Sequence, residues 1–213
     1  MKILTIPSPI LTLPTKPIPV LDKRVVKLIK QMEQRLLVQK DPQGVGLAAP
    51  QVGQALQLFI IKPNKQAKTE VFINPKIIFA SAAEDSILQP KGRRWRQEKD
   101  PNTRAGGQRR SSTSGNESAT GGAAGKNKIP PQKLEGCLSI PRIWAPIKRA
   151  RQIEIKYQNE QGVTQKKKFS GLKAIIIQHE IDHLNGILFT QRALEQKAQL
   201  YEEKANKLQK MSY

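Results

Sequence analysis

The sequence reads as a chain of mixed helix and strand, because three kinds of pattern follow one another along it. After Asp22, the residues Val25, Leu28, Ile29, Met32 and Leu36 recur at helical spacing. Runs of β-branched and aromatic residues come next, and a long apolar run opens after Gly171. The proline-rich first twenty residues are expected to be extended and to wrap the domain. Asp22 is placed to cap a helix reaching about residue 39, with its stripe as core and Asp41-Pro42-Gln43-Gly44 ending it. Leu56 to Ile61 and Glu70 to Phe79 read as strands bounded by Pro63-Asn64 and Asn74-Pro75. Ile153 to Tyr157 and Val163 to Phe169 flank Asn159-Glu160-Gln161-Gly162, a hairpin that leads straight into the helix after Gly171. Residues 191–211 are expected to close the chain as a polar, weakly basic helix, with Ala193, Leu194, Ala198, Tyr201, Ala205 and Leu208 as a thin stripe.

With 213 residues the chain suits one domain with some excess, and a hydrophobic content of 38% indicates that part of it is not core. That part is residues 88–130, dominated by Gly, Ser, Thr, Lys, Arg, Gln and Asn, which bury too little apolar surface to offset ordering. They are expected to be disordered, either as a solvated insertion or as an RNA-contacting arm around Arg93, Arg94, Trp95 and Arg96. A formal net charge of +20 favours polyanions such as RNA, the ribosome or acidic lipid surfaces. One cysteine excludes an internal disulfide and favours a reducing compartment. No run approaches the length of a membrane span, so a cytoplasmic protein is expected.

The chemistry is concentrated in Gln178-His179-Glu180-Ile181-Asp182-His183, which holds both histidines of the chain. On a helix, His179 and His183 sit one turn apart and project from the same face, so both imidazoles can close on one metal ion. Glu180 beside them is a candidate general base. The only cysteine, Cys137, is the obvious third ligand, and two imidazoles with one thiolate leave a fourth tetrahedral position for water. Upstream, Gly44-Val45-Gly46-Leu47-Ala48-Ala49-Pro50-Gln51 crowds small residues that let the backbone approach something closely. A dinucleotide-binding reading needs a strand before this stretch and a helix inside it. A helix precedes it and Pro50 blocks a following one, so a substrate-lining loop with the Gln51 amide facing an oxyanion fits better.

These three stretches, Gly44–Gln51, Glu135–Ser139 and His179–His183, together resemble the peptide deformylases. Their pattern is Gly-x-Gly-x-Ala-Ala-Pro-Gln, then Glu-Gly-Cys-x-Ser, then His-Glu-x-Asp-His, and it stands intact and in order here. The resemblance covers about residues 1–83 and 134–190. It implies an α+β fold, mainly antiparallel sheets around a central metal-bearing helix, and removal of the formyl group from the N-terminal formyl-methionine of new polypeptides. It further implies that Cys137, His179 and His183 hold one divalent ion, often iron(II), with zinc, nickel or cobalt able to occupy the site. Glu180 would take a proton from the attacking water and pass it to the leaving amine. The Gln51 amide and the Leu138 backbone N–H would hold the oxyanion, and Val45, Gly46 and Gly136 would bind substrate. Trp144, Leu172, Ile175 and Ile176 join Gly136 as weaker candidates for the methionine pocket. On this reading residues 1–190 form one catalytic domain interrupted at 88–130, and 191–213 form a helical extension where many bacterial members dock on the ribosome. A monomer is expected, in the cytoplasm or an organelle of bacterial descent.

Two rivals differ in testable ways. A zinc endopeptidase would draw its third ligand from a downstream acid such as Glu202 or Glu203. An RNA- or ribosome-binding module would use the metal structurally, but the chain offers no fourth Cys or His to close such a site.

Overall fold

The computed structural model describes residues 1–39, 44–64, 66–85 and 134–212. The expectation of disorder at 88–130 and the helix stop at 41–43 fall outside these residues. The elements are, in order, α1 (Lys23–Leu37), β1 (Gly46–Ala48), β2 (Leu58–Ile61), β3 (Glu70–Ala80), β4 (Ala83–Asp85), β5 (Glu135–Cys137), β6 (Ile140–Ala145), β7 (Lys148–Ala150), β8 (Gln152–Gln158), β9 (Thr164–Ser170), α2 (Gly171–Leu184), α3 (Phe189–Glu195), β10 (Tyr201–Lys204) and β11 (Lys207–Lys210). Short 3₁₀ turns occupy Pro9–Thr12 and Ala49–Val52.

One sheet has the order β1-β2-β3-β8-β9, another β11-β10-β6-β5, and β4 pairs with β7; every ladder among these strands is antiparallel. Strand alternation gives the five-stranded sheet two apolar faces at its β1–β3 end. Leu47, Leu58, Ile60, Val71 and Ile73 take the α1 stripe Val25, Leu28, Ile29, Met32 and Leu36. The opposite face, with Phe59, Phe72, Ile153, Ile155, Tyr157 and Phe169, takes Ala174, Ile176 and Ile177 of α2. Each such side chain contributes about 1.5–3 kcal/mol when fully buried. The Asp22 side chain accepts from the backbone N–H of Arg24 and Val25, which fixes where α1 starts.

The N-terminal segment does wrap the domain. Leu4 N–H donates to the Gln51 carbonyl at 2.8 Å, Ile6 N–H to Ser139 at 3.0 Å and Thr15 N–H to Leu184 at 2.9 Å. It thereby ties together the three motif-bearing stretches.

The C-terminus corrects the sequence reading. The expected helix stops at Glu195, and Tyr201–Lys204 and Lys207–Lys210 form a hairpin instead. Two physical causes stand out. Ala205 and Asn206 both take positive φ, 47° and 61°, as a tight two-residue hairpin turn requires. Tyr201 also pairs with Trp144 of β6, and Leu134, Trp144, Tyr201 and Leu208 close a small core that a thin helical stripe would leave open. Tertiary pairing here overrides helix propensity. The segment 191–213 is therefore no helical extension: its hairpin continues the sheet that carries Cys137.

Candidate functional site

The candidate metal centre forms where three elements meet. α2 is buried on nearly every side, and His179, Glu180, Asp182 and His183 are all buried. β5 ends at Cys137 facing the helix. The turn after β1 brings in Gln51, 2% exposed. One ligand atom from each of Cys137, His179 and His183 lies within 4.8 Å of the others, the only such group of three metal-ligating side chains among the described residues. Cys137 Sγ is 3.1 Å from His183 Nε2. The Ser139 backbone N–H donates to the sulfur at 3.4 Å and Gln51 Nε2 does so at 3.5 Å.

Electrostatics adapt this cluster to a cation. Burial pushes the Cys137 thiol up, but His183 and His179 outweigh it and bring the thiol down to about 5, so it stands as thiolate at neutral pH. Burial alone would lower His179; Glu135 and Cys137 instead hold it well above the ordinary histidine value. Those same anions would balance a metal, whose binding displaces such protons. Burial is the main reason that the Glu180 carboxyl rises to about 7, near the pH at which a proton carrier works best. Glu180 Oε2 is buried with no hydrogen-bond partner among the described residues, and so is His183 Nδ1. A soft thiolate with two imidazoles and an uncommitted carboxylate is a donor set that fits a divalent transition metal with one open position.

Glycine makes the close approach possible at two points. A Cβ on Gly46 would sit 2.2 Å from Glu180 Oε1, so β1 can lie against the carboxylate only because residue 46 has no side chain. A Cβ on Gly136 would sit 2.7 Å from the Trp144 ring. The small size of Gly136 lets β5 lie close against Trp144, which is buried with Leu134, Tyr201 and Leu208.

The other expected residues fall near the same place. The Gln51 side chain is fixed at both ends: its Oε1 accepts from Ala48 N–H at 2.8 Å and its Nε2 donates to Ser139 Oγ at 3.1 Å. Val45 precedes β1, which is an edge strand of its sheet, as β5 is of the other. Leu138 lies between Cys137 and Ser139 and packs against the α1 core. The endopeptidase alternative finds no support: Glu203 accepts from Trp144 Nε1 at 3.1 Å and Glu202 pairs with Lys204 at 2.8 Å.

Sequence reasoning missed the charged network behind the ligands. Glu135 is fully buried and accepts from Arg149 at 2.8 and 3.2 Å, while His179 Nδ1 lies 2.6 Å from its Oε1. That contact fixes the ring so that Nε2 faces the cluster. Arg149 also donates to Asp182 at 2.6 Å, and Arg192 of α3 grips the same carboxylate at 2.8 and 3.2 Å. The available signal was Arg149 in the stretch Ile147-Lys148-Arg149-Ala150, inconspicuous in a chain with 37 Lys and Arg.

Comparison with known proteins places the whole chain in one family. The family model for polypeptide deformylase matches residues 1–93 and 124–199; the unmatched residues 94–123 lie inside the basic insertion. The peptide deformylase of Dictyoglomus turgidum is 33% identical over 204 residues, 96% of this chain and 99% of its own. That of Desulfotalea psychrophila is 31% identical over 97% of this chain and 95% of its own. Among solved structures, the Thermotoga maritima peptide deformylase gives a TM-score of 0.63 at 27% identity, covering 90% of this chain and 95% of that one. A Synechococcus elongatus peptide deformylase in complex with actinonin gives 0.63 at 28% identity, covering 90% and 78%.

Proposed function

The chain belongs to the polypeptide deformylase family, hydrolases that take the formyl group off the N-terminus of newly made polypeptides, and we propose how its own residues divide that task. Cys137, His179 and His183 would hold one divalent ion, iron(II) in the first instance, with zinc, nickel or cobalt able to replace it. Such an ion would supply Lewis acidity, enough to make a water a competent nucleophile near neutral pH. Glu180 accepts the proton of the attacking water and delivers it to the amine as the C–N bond breaks, which leaves formate and a free N-terminus. Gln51 Nε2 and the Leu138 N–H donate to the oxygen on which negative charge develops. Val45 and Gly46, on and beside the edge strand β1, take the extended peptide backbone by strand addition. Gly136, next to Cys137 on the edge strand β5, joins them in binding substrate through its backbone, and its lack of a side chain lets Trp144 pack close.

The observation that carries this reading is the buried Cys137–His179–His183 cluster with the unpartnered Glu180 oxygen beside it. A thiolate ligand needs a reducing compartment, so the protein works in the cytoplasm or an organelle of bacterial descent. Its strong net charge opposes self-association and fits a monomer. Docking on the ribosome would rest on the basic surface, since the C-terminal helix invoked for it is a hairpin. The test is formate release from formyl-Met-Ala-Ser by protein purified without oxygen and reloaded with iron(II) or nickel(II). Metal-dependent release that disappears in Glu180→Ala is expected; equal release by that variant would overturn the assignment.

A further inference from the structure

The five-stranded sheet has a half that nothing in the described structure covers. α1 lies over its β1–β3 end, but on β8 and β9 the side chains on the α1 side are Glu154 and Gln158, half-buried, and Lys156, Lys166 and Lys168, exposed. Cross-strand register places Lys76, Lys156 and Lys166 directly opposite one another on β3, β8 and β9. The next row is Phe79, Glu154 and Lys168. Like charges directly opposite each other destabilise a sheet, so three lysines in one row carry a folding cost with no packing return. Glu154 is the only acid in the two rows, and it leans on Lys166 at 3.7 Å. Lys76, Lys156 and Lys168 have no ion pair among the described residues. Phe79 stands 54% exposed among these cations, an unusual state for a phenylalanine on a strand.

We propose that this lysine-and-phenylalanine face of β3, β8 and β9 binds single-stranded RNA. Lysine ammonium groups at strand spacing track phosphates, and an exposed ring on a rigid sheet offers a platform for a base. A lipid surface would suit the lysines but not a single ring on a flat sheet, which gives too little apolar area to enter the acyl boundary. The basic insertion does not account for the charge: residues 88–130 hold ten Lys and Arg against three Asp and Glu, so most of the net +20 lies elsewhere. The face is opposite the side of the sheet on which α2 packs, so bound RNA leaves the metal centre open to a peptide. This inference stands on the sheet alone and does not depend on the deformylase chemistry.

The experiment titrates full-length protein into fluorescein-labelled oligo(U) of about sixteen nucleotides. Anisotropy is followed from about 50 to 200 mM KCl. The variants are Lys76→Gln/Lys156→Gln/Lys166→Gln together and Phe79→Ala alone. The triple variant should bind at least about tenfold more weakly, and its salt slope should fall by about 2, as the loss of three phosphate contacts to a single strand requires. Phe79→Ala should weaken binding at least about fivefold with the slope unchanged. Formate release from a short formylated peptide should be the same in all forms, which shows that the variants fold. Unchanged RNA affinity in the triple variant, with binding lost instead on deleting residues 90–130, would overturn the proposal. So would a triple variant that loses binding to phosphatidylcholine–phosphatidylglycerol vesicles but keeps its affinity for RNA.

Discussion

α1 and α2 are nearly equal in length, fifteen and fourteen residues, yet they are held in opposite ways. α1 buries five apolar side chains along one stripe and leaves its other faces to water. α2 is buried almost all round, and four of its buried side chains are ionisable: His179, Glu180, Asp182 and His183. A stripe only has to find an apolar face. Buried ionisable groups need partners: those of His179, Asp182 and His183 come from β5, β7 and α3, while Glu180 Oε2 is left without one among the described residues. α1 is therefore a local solution and α2 a non-local one, and substitutions should separate them.

The largest effect is expected at Glu180. Glu180→Gln keeps the shape of a buried side chain and removes the proton carrier, so formate release should fall on the order of 10²–10⁴-fold. Stability should be kept or slightly raised, because a carboxyl whose pKa burial has lifted to about 7 is an unfavourable buried acid. Activity and thermal unfolding measured on one preparation check both halves. No α1 variant that folds should show this separation.

Arg149 tests what the network costs to break. Arg149→Met leaves Glu135 and part of Asp182 buried without their guanidinium, and losing one partner of a buried pair costs about 3–5 kcal/mol. Denaturant unfolding should show that loss together with weaker metal retention, because Glu135 alone then orients His179. Met32→Ala in α1 removes a fully buried side chain and should cost about 2–5 kcal/mol by cavity formation. Metal content per folded molecule should stay the same there. If Met32→Ala shed metal as readily as Arg149→Met, the contrast between the helices would be wrong.

The same network sets a pH dependence. Burial would raise the Glu135 carboxyl, but Arg149 and then His179 overcome this and hold it at about 2, against 4.5 when exposed. Between those values the unfolded chain binds a proton that the folded chain does not. Stability from this group is therefore fully present above about pH 4.5 and drains away as pH falls toward about 2, on the order of 3 kcal/mol in all. Unfolding followed between about pH 5 and pH 2.5 in chelator-treated protein should give a shallower slope in Glu135→Gln than in the parent. Equal slopes would mean that other carboxylates govern the acid limb.

The contrast also explains what could be read from the sequence. The α1 stripe, the strands at 56–61 and 70–79, the hairpin before α2 and the His179–His183 pair are short-range patterns, and all are present in the structure. The Cys137–His179–His183 cluster with Gln51 beside it was legible because three motifs stand intact and in order. Glu135 stands within its motif, yet nothing local says that it grips Arg149 fourteen residues on. The C-terminal hairpin is hidden for a related reason: Tyr201, Ala205 and Leu208 satisfy a helical stripe, while pairing with Trp144, far upstream, and the turn at Ala205 and Asn206 decide for strands. Periodicity reports which face is apolar and is silent about what that face will meet.

The smallest effect sharpens the local end of the comparison. Asp22→Ala removes the oxygen that caps two N–H groups of α1 and should cost about 1 kcal/mol. Asp22→Asn, which keeps an acceptor at the same place, should recover most of that loss. Because α1 packs on the face of the sheet away from α2, neither variant should alter the metal content or the KM for a formylated peptide. A change in KM from so small a perturbation would show that α1 and the metal helix are coupled through β1, whose Gly46 touches Glu180 on one side while Leu47 packs under α1 on the other.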